Sequence, residues 1–561
     1  MIVSRKHAFL LLVIMPVLVL PSIGAEKLLP PDTKWVEETL KGMSLKDKVG
    51  QMIITWYQPI VSEQLVKEFG VGGFFVSGID ALSLARATNA LQEVSRIPLL
   101  FAADYESGIG DSTPGGTDFP SNMALGATGD PDLAYQCGKI TAMEARAVGV
   151  HYDFSPVVDV NVEPANPIIS TRSYGDDPKL VSRMACAYIK GLQEHGVLAT
   201  AKHFPGHGAT RADSHRIMPV VLRERNEIEQ VDLVPYVAAI KEADVASVMT
   251  AHLWMPALDP QPGPATVSPK VMTGLLRDHL GFKGLLVSDS YGMRGITDHF
   301  SDEDAAVLGV KAGLDIVLTP RVVEKAVNAI LGAVDRGEIS TERIDRSVRR
   351  ILTAKTRLAL HKQAVVDVSQ VATLVGTPEH HVLAKEIARR AITLVKKGQT
   401  SLPLSSERTY LVVNLSTRRT GWFSRVHEYF GDALDAFHKG VKVETLTTDT
   451  DEEERRKILS AAKDADEVLV ANFSWVQIED DTVLKFARDL LTLKKPLTLI
   501  SFGSPYVVLQ LPEVDTFLCT YDRSLESQIA AAEVLCGKRT ATGKLPVGFP
   551  GLFDRGTGIG N

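Results

Sequence analysis

The chain reads as an α/β protein: a (β/α)8 TIM-type barrel over residues 26–360, a linker at 361–376, and a smaller α/β sandwich domain over 377–561. Three observations predict this. Eight strand-length apolar runs recur between residues 51 and 318 with mostly helix-sized spacers between them, and such alternation builds parallel sheets covered by helices. Several of those runs end in a titratable or hydrogen-bonding group. Beyond Leu358 the texture turns polar, and a second alternating series opens at 391–396. A chain of 561 residues also exceeds what one core of ordinary size accommodates.

At the amino terminus, Arg5 and Lys6 precede an almost wholly apolar stretch at 8–20, and Ser22-Ile23-Gly24-Ala25 supplies small residues for cleavage. Residues 1–25 therefore read as a secretory signal peptide. An exported protein is expected, periplasmic or extracellular, with no stable membrane insertion once the leader is cut. Retained as an anchor, the apolar stretch would be short for a full span. The net charge of −7, with both signs interspersed, gives no reason to expect a nucleic-acid partner. Cys137, Cys186, Cys519 and Cys536 lack paired metal-ligand spacing and sit in apolar or helix-like surroundings. They read as core residues, with a disulfide in an exported protein as the alternative.

Residues 34–42 form a helical pattern, and Ser44 caps a second helix with Asp47 in the capping-box position. The strand-like runs follow at 51–55, 71–76, 98–104, 152–160, 197–203, 245–252, 285–289 and 316–318, with helical patterns such as 81–94, 180–195 and 228–243 between them. The alternation favours a barrel, although a doubly wound sheet would also accommodate it.

Function shows in how these runs end: Asp104 with Glu106, Asp159 with Asn161, Lys202 with His203, then His252 and Asp289. Buried strands do not tolerate unpaired charge, so charges collect at the rim, and a barrel gathers its strand ends on one face. A pocket of carboxylates, lysine and histidines suits a polyhydroxylated ligand, with Arg172 as a further donor. The densest segment is Lys202-His203-Phe204-Pro205-Gly206-His207-Gly208, followed by Asp213-Ser214-His215. Three histidines and an aspartate are acceptable zinc ligands, but that use leaves Lys202 and the other carboxylates unexplained. Gly108-Ile109-Gly110 lacks the spacing of a dinucleotide fingerprint.

Retaining hydrolysis of a glycosidic bond needs a carboxylate nucleophile and a group that gives and then takes a proton. Asp289 follows an apolar run, lies between Ser288 and Ser290, and leads into a glycine-containing turn. It is the nucleophile candidate, with capping of the next helix as the plainer role. His215 titrates near neutrality and is the proton-donor candidate, with Asp213 two residues earlier to orient it.

These motifs, together with Val287-Ser288-Asp289-Ser290 and Met293, resemble glycoside hydrolase family 3, in its β-N-acetylhexosaminidase branch. The similarity runs from about Leu45 to about Leu358 and extends more weakly through the second domain. The resemblance implies a (β/α)8 barrel, a covalent glycosyl intermediate on Asp289, and His215 paired with Asp213 as acid/base. It further implies that Asp104 binds sugar hydroxyls, that Arg172, Lys202 and His203 line the same subsite, and that His207 is loop architecture. No cofactor and no metal are implied. The chain departs from the family pattern after Asp104: relatives commonly read Asp-Gln-Glu-Gly-Gly-Arg, whereas Asp104-Tyr105-Glu106-Ser107-Gly108-Ile109 has no arginine before Arg146.

In the second domain, strand-like runs at 411–415, 441–446, 467–471, 497–501 and 516–520 alternate with helical patterns such as 452–464. Ile392-Thr393-Leu394-Val395 and Gly543-Lys544-Leu545-Pro546-Val547 resemble segments of two-domain family members. Trp475 and Glu479 follow a strand-like run, and a core or interdomain position is favoured over a reach toward the barrel mouth. The expected activity is a retaining exo-β-N-acetylglucosaminidase acting on chitin- or peptidoglycan-derived oligosaccharides. The alternatives are a β-glucosidase, a phosphorylase of the same family, and a non-catalytic glycan-binding protein.

Overall fold

The computed structural model describes residues 27–416 and 428–560. The leader assigned to 1–25 lies outside them. Eight parallel strands form the first domain: β1 (Ile53–Trp56), β2 (Gly73–Phe75), β3 (Leu100–Ala103), β4 (Tyr152–Asp153), β5 (Thr200–Phe204), β6 (Ser247–Thr250), β7 (Leu285–Val287) and β8 (Val317–Leu318). They pair as two ladders, β4-β3-β2-β1-β8 and β5-β6-β7. Isolated parallel bridges join the ladders on both sides, Tyr152 to Leu198 and Val157 to Lys202 on one, Val287 to Ile316 on the other. Those bridges close the barrel and exclude the doubly wound alternative.

Each strand is buried because helices cover the outside. Ser44 caps Leu45–Gln51 through a complete capping box with Asp47. The helix Ala81–Val94 is capped by Asp80, and Pro178–Gln193 starts with a proline that needs no amide partner at that position. Two expected elements come out differently. The run 152–160 is regular only at Tyr152–Asp153, since Pro156 cannot donate to a ladder. The helix expected at 228–243 opens as a wider π-turn at Ile228–Asp232 before Val234–Glu242, which carries Pro235 in its first turn.

The second domain is one six-stranded sheet made of β9 (Thr393–Lys396), β10 (Tyr410–Ser416), β11 (Lys442–Thr447), β12 (Glu467–Asn472), β13 (Leu497–Ser501) and β14 (Thr516–Cys519). Its order is β11-β10-β12-β13-β14-β9, parallel except for β9. Separate apolar clusters cover its two faces, which makes the α/β sandwich. Cys137, Cys186 and Cys519 are buried, Cys536 is half-buried, and all four are free thiols.

The domains share apolar surface. Met123, Ala124 and Ala127 of the barrel helix Asn122–Thr128 belong to the core of the second domain. The segment that follows the barrel is fastened down as well. The Asn89 side chain bonds both the amide and the carbonyl of Val366, and Glu144 accepts from the Gly376 amide and pairs with His380. At the seam, Ser170 Oγ donates to the Trp475 carbonyl at 3.1 Å, and Arg523 lies over the half-buried Trp475 ring. Among the described residues no helix is long and apolar enough to cross a membrane.

Candidate active site

A cavity of about 140 Å3 opens at the carboxyl ends of the barrel strands. Asp104, Arg172, Lys202, His203, His215 and Asp289 all line it. Trp56, Phe75, Phe154, Met249 and Leu318 form its apolar wall, a set no local pattern singles out, because each also belongs to a strand or strand-like run. Among the described residues, every one that lines it comes from the barrel.

Lys202 is deeply buried, with its side chain 2% exposed. Its Nζ lies 2.7 Å from Asp104 Oδ1 and 2.6 Å from Glu106 Oε1. Burial alone would favour the neutral amine, but the two carboxylates outweigh it and raise the ammonium above its ordinary value. Glu106 is held the opposite way. Burial would raise it, and Arg172 with Lys202 outweigh that and keep it well below the usual carboxylate range. Arg172 Nε and Nη2 each approach Glu106 at 2.8 Å, in the bidentate geometry that guanidinium favours. Glu106 is a site residue whose importance the sequence understates. Its signal was there, two residues after Asp104 at a strand end.

His203 is oriented from both sides. Its Nδ1 is 2.7 Å from Asp159 Oδ2 and its Nε2 is 3.3 Å from Arg172 Nη2. Asp159 accepts from Nδ1, and the Arg172 guanidinium lies beside Nε2. Asp159 also accepts the His207 amide at 2.6 Å. His207 reaches Thr210 Oγ1 and Ser214 Oγ through its two ring nitrogens, and burial pushes it down to about 4. These bonds brace the loop, and His207 is not among the residues lining the cavity. Gly208 is obligatory there, since a Cβ would stand 1.8 Å from the Val160 carbonyl oxygen.

Ser214 sits between the two members of a pair. His215 Nδ1 is 2.8 Å from Asp213 Oδ1, which also accepts the His215 amide at 2.9 Å. The hydrogen bond to Asp213 raises His215 above its ordinary value, against burial and with help from Asp289. Burial would raise Asp213, but its bonds to His215 prevail and lower it. The loop is tied across the barrel mouth, where the Gly295 amide donates to the Ser214 carbonyl at 2.9 Å.

Asp289 follows β7. Its amide donates to the Thr250 carbonyl at 3.1 Å, and its Oδ1 accepts from the Ser290 amide at 2.8 Å. Burial would raise its carboxyl, yet His203, His252 and His215 outweigh burial and lower it. His252 stands behind it, with Nε2 on the Ser290 carbonyl and Nδ1 on Thr266 Oγ1. The cavity therefore holds an ionised carboxylate and an imidazole biased toward its protonated form. That combination can attack one side of a reacting carbon and protonate a departing oxygen.

Comparisons with known proteins agree with this geometry. Residues 44–354 match the model of the glycosyl hydrolase family 3 N terminal domain. A β-N-acetylglucosaminidase/β-glucosidase of Cellulomonas fimi is 32% identical over 553 residues, covering 93% of this chain and 96% of its own. The structure of a glycoside hydrolase family 3 β-N-acetylglucosaminidase from Paenibacillus sp. str. FPU-7 superposes with a TM-score of 0.84 at 34% identity, covering 90% of this chain and 99% of that one. A β-glucoside phosphorylase superposes with a TM-score of 0.82 at 29% identity, covering 92% and 96%. Matched over more than half its length by the family model, and almost end to end by a relative, the chain belongs to glycoside hydrolase family 3.

Proposed function

We propose that this glycoside hydrolase is an exported, retaining exo-β-N-acetylglucosaminidase that removes terminal N-acetylglucosamine from chitin- or peptidoglycan-derived glycans. The observation that carries the reading is His215, hydrogen-bonded to Asp213 and lining the same cavity as an ionised Asp289, a cavity whose lining among the described residues comes only from the barrel. A relative that matches most of the chain is named a β-N-acetylglucosaminidase/β-glucosidase, and a solved neighbour is named a β-N-acetylglucosaminidase.

In the first step Asp289 attacks the anomeric carbon while His215 gives its proton to the leaving oxygen, so the glycosidic bond breaks as the ester to Asp289 forms. Neutral His215 then takes a proton from water, whose oxygen attacks the same carbon and releases Asp289 as carboxylate. Asp213 holds the imidazole and favours its charged form. Asp104 accepts from sugar hydroxyls, and Lys202, Arg172 and His203 complete the subsite. The acid/base is an imidazole, so that group adds no carboxylate to repel an anionic nucleophile. With phosphate in place of water the same two steps are phosphorolysis, the activity named for the β-glucoside phosphorylase neighbour.

The test is release of p-nitrophenol from the β-N-acetylglucosaminide and the β-glucoside in parallel, with Asp289→Ala as control and with phosphate present or absent. Turnover of the first that vanishes in the control supports the proposal. Preference for the glucoside makes the protein a β-glucosidase, and sugar 1-phosphate as product makes it a phosphorylase. Saturable binding without turnover makes it a glycan-binding protein.

A further inference from the structure

The opposite mouth of the barrel holds a larger cavity, of about 570 Å3. Leu198, Val245 and Leu285 line it at the amino ends of β5, β6 and β7, so it lies across the barrel from Asp289. Its far wall is one flank of the helix Thr341–Arg357, which presents Arg346, Arg349, Arg350 and Arg357 at helical spacing. Lys283 joins them from the loop before β7, and among the described residues Asp244 is the only carboxylate of the lining. Five cations on one cavity run against a chain whose net charge is −7.

Structural duty accounts for some of this charge. Asp315 accepts from Arg277 at 2.6 Å and from Arg350 at 3.0 Å, and Glu37 takes Arg349 through two bonds. Arg277 also bonds the carbonyls of Phe282 and Gly284, which fixes the loop that walls the cavity. Arg346, Arg357 and Lys283 have no such role. Among the described residues none of the three makes an ion pair or a side-chain hydrogen bond. Glu342 and Asp244 offset only part of this charge, and a bound anion relieves the repulsion among like charges gathered on one cavity.

We propose that this mouth of the barrel is a second binding site, for a phosphate-bearing anion held by Arg346, Arg357 and Lys283. Guanidinium forks match phosphate oxygens bidentately, and the ammonium adds a point charge. The volume lies within the range of small-molecule sites. A soluble phosphate ester and a phospholipid headgroup carry the same chemistry.

The experiment uses the full chain and the double variant R346Q/R357Q, whose substitutions break no ion pair and should leave the melting temperature unchanged. Inorganic pyrophosphate is titrated calorimetrically. Separately, vesicles of phosphatidylglycerol with phosphatidylcholine are pelleted with protein, against phosphatidylcholine alone. Saturable pyrophosphate binding that weakens about tenfold or more in the variant supports the site and a soluble ligand. Binding confined to the anionic vesicles and lost in the variant supports the site and a headgroup. Lys283→Gln should weaken the same arm. Equal binding by both proteins would place the anion elsewhere, for instance on Lys202 and Arg172, and overturns the proposal; no binding in either arm overturns it too.

Discussion

Arg172 grips Glu106 through two parallel N–H···O bonds of 2.8 Å each, across 66 residues of sequence. With Lys202 against the same carboxylate, the floor of the active site is a compensated charge cluster, and each member is costly to remove alone. Glu106→Gln should lower stability by about 3–5 kcal/mol, because it leaves Arg172 and Lys202 under-compensated in a buried site. Urea denaturation measures that loss, and kcat/KM should fall with it as Arg172 and Lys202 shift. Wild-type stability in the variant would show that the cluster is not under electrostatic strain.

Asp289→Ala should reduce turnover by a factor on the order of 10^4 to 10^6, the scale seen when a covalent nucleophile is removed. Stability should change little, since the carboxylate lines a cavity and is held by one backbone amide. Steady-state kinetics beside a melting curve separates the two effects.

The Asp213–His215 pair predicts the pH profile. His215 acts as an acid only while protonated, and its pKa is raised, so kcat/KM should fall on the alkaline side, above the ordinary histidine value near 6.5. Asp213→Asn removes the largest cause of that elevation, so the alkaline limb should move to lower pH. His215→Ala should abolish the limb and cost about 10^2- to 10^4-fold. The acid limb belongs to Asp289, whose lowered pKa keeps it ionised down to the ordinary aspartate range and below. An alkaline limb unmoved by both substitutions would assign the acid to another residue.

Gly208→Ala should destabilise the loop that carries His215. The added methyl would meet the Val160 carbonyl oxygen at 1.8 Å, and relief requires backbone movement. A loss of about 1–3 kcal/mol is expected, together with reduced turnover. The melting temperature and kcat, measured on one preparation, check both.

What the sequence determined by itself is what depends on neighbours along the chain. The apolar runs, the Ser44–Asp47 capping box and the polar tip after β5 follow from strand period, helix capping and the cost of burying charge, which act over a few residues. His215 with Asp213 was legible for the same reason, being two residues apart. Tertiary structure decided the rest. Closure of the barrel depends on bridges between strands whose pairing no local pattern encodes. The partnering of Glu106 with Arg172 and Lys202, and of Asp159 with His203, depends on which strand ends share a rim. The clustered cations at the opposite mouth arise where one helix flank meets three strand beginnings. Coulomb and hydrogen-bond energies depend on separation in space, and the chain acquires those separations only when it folds.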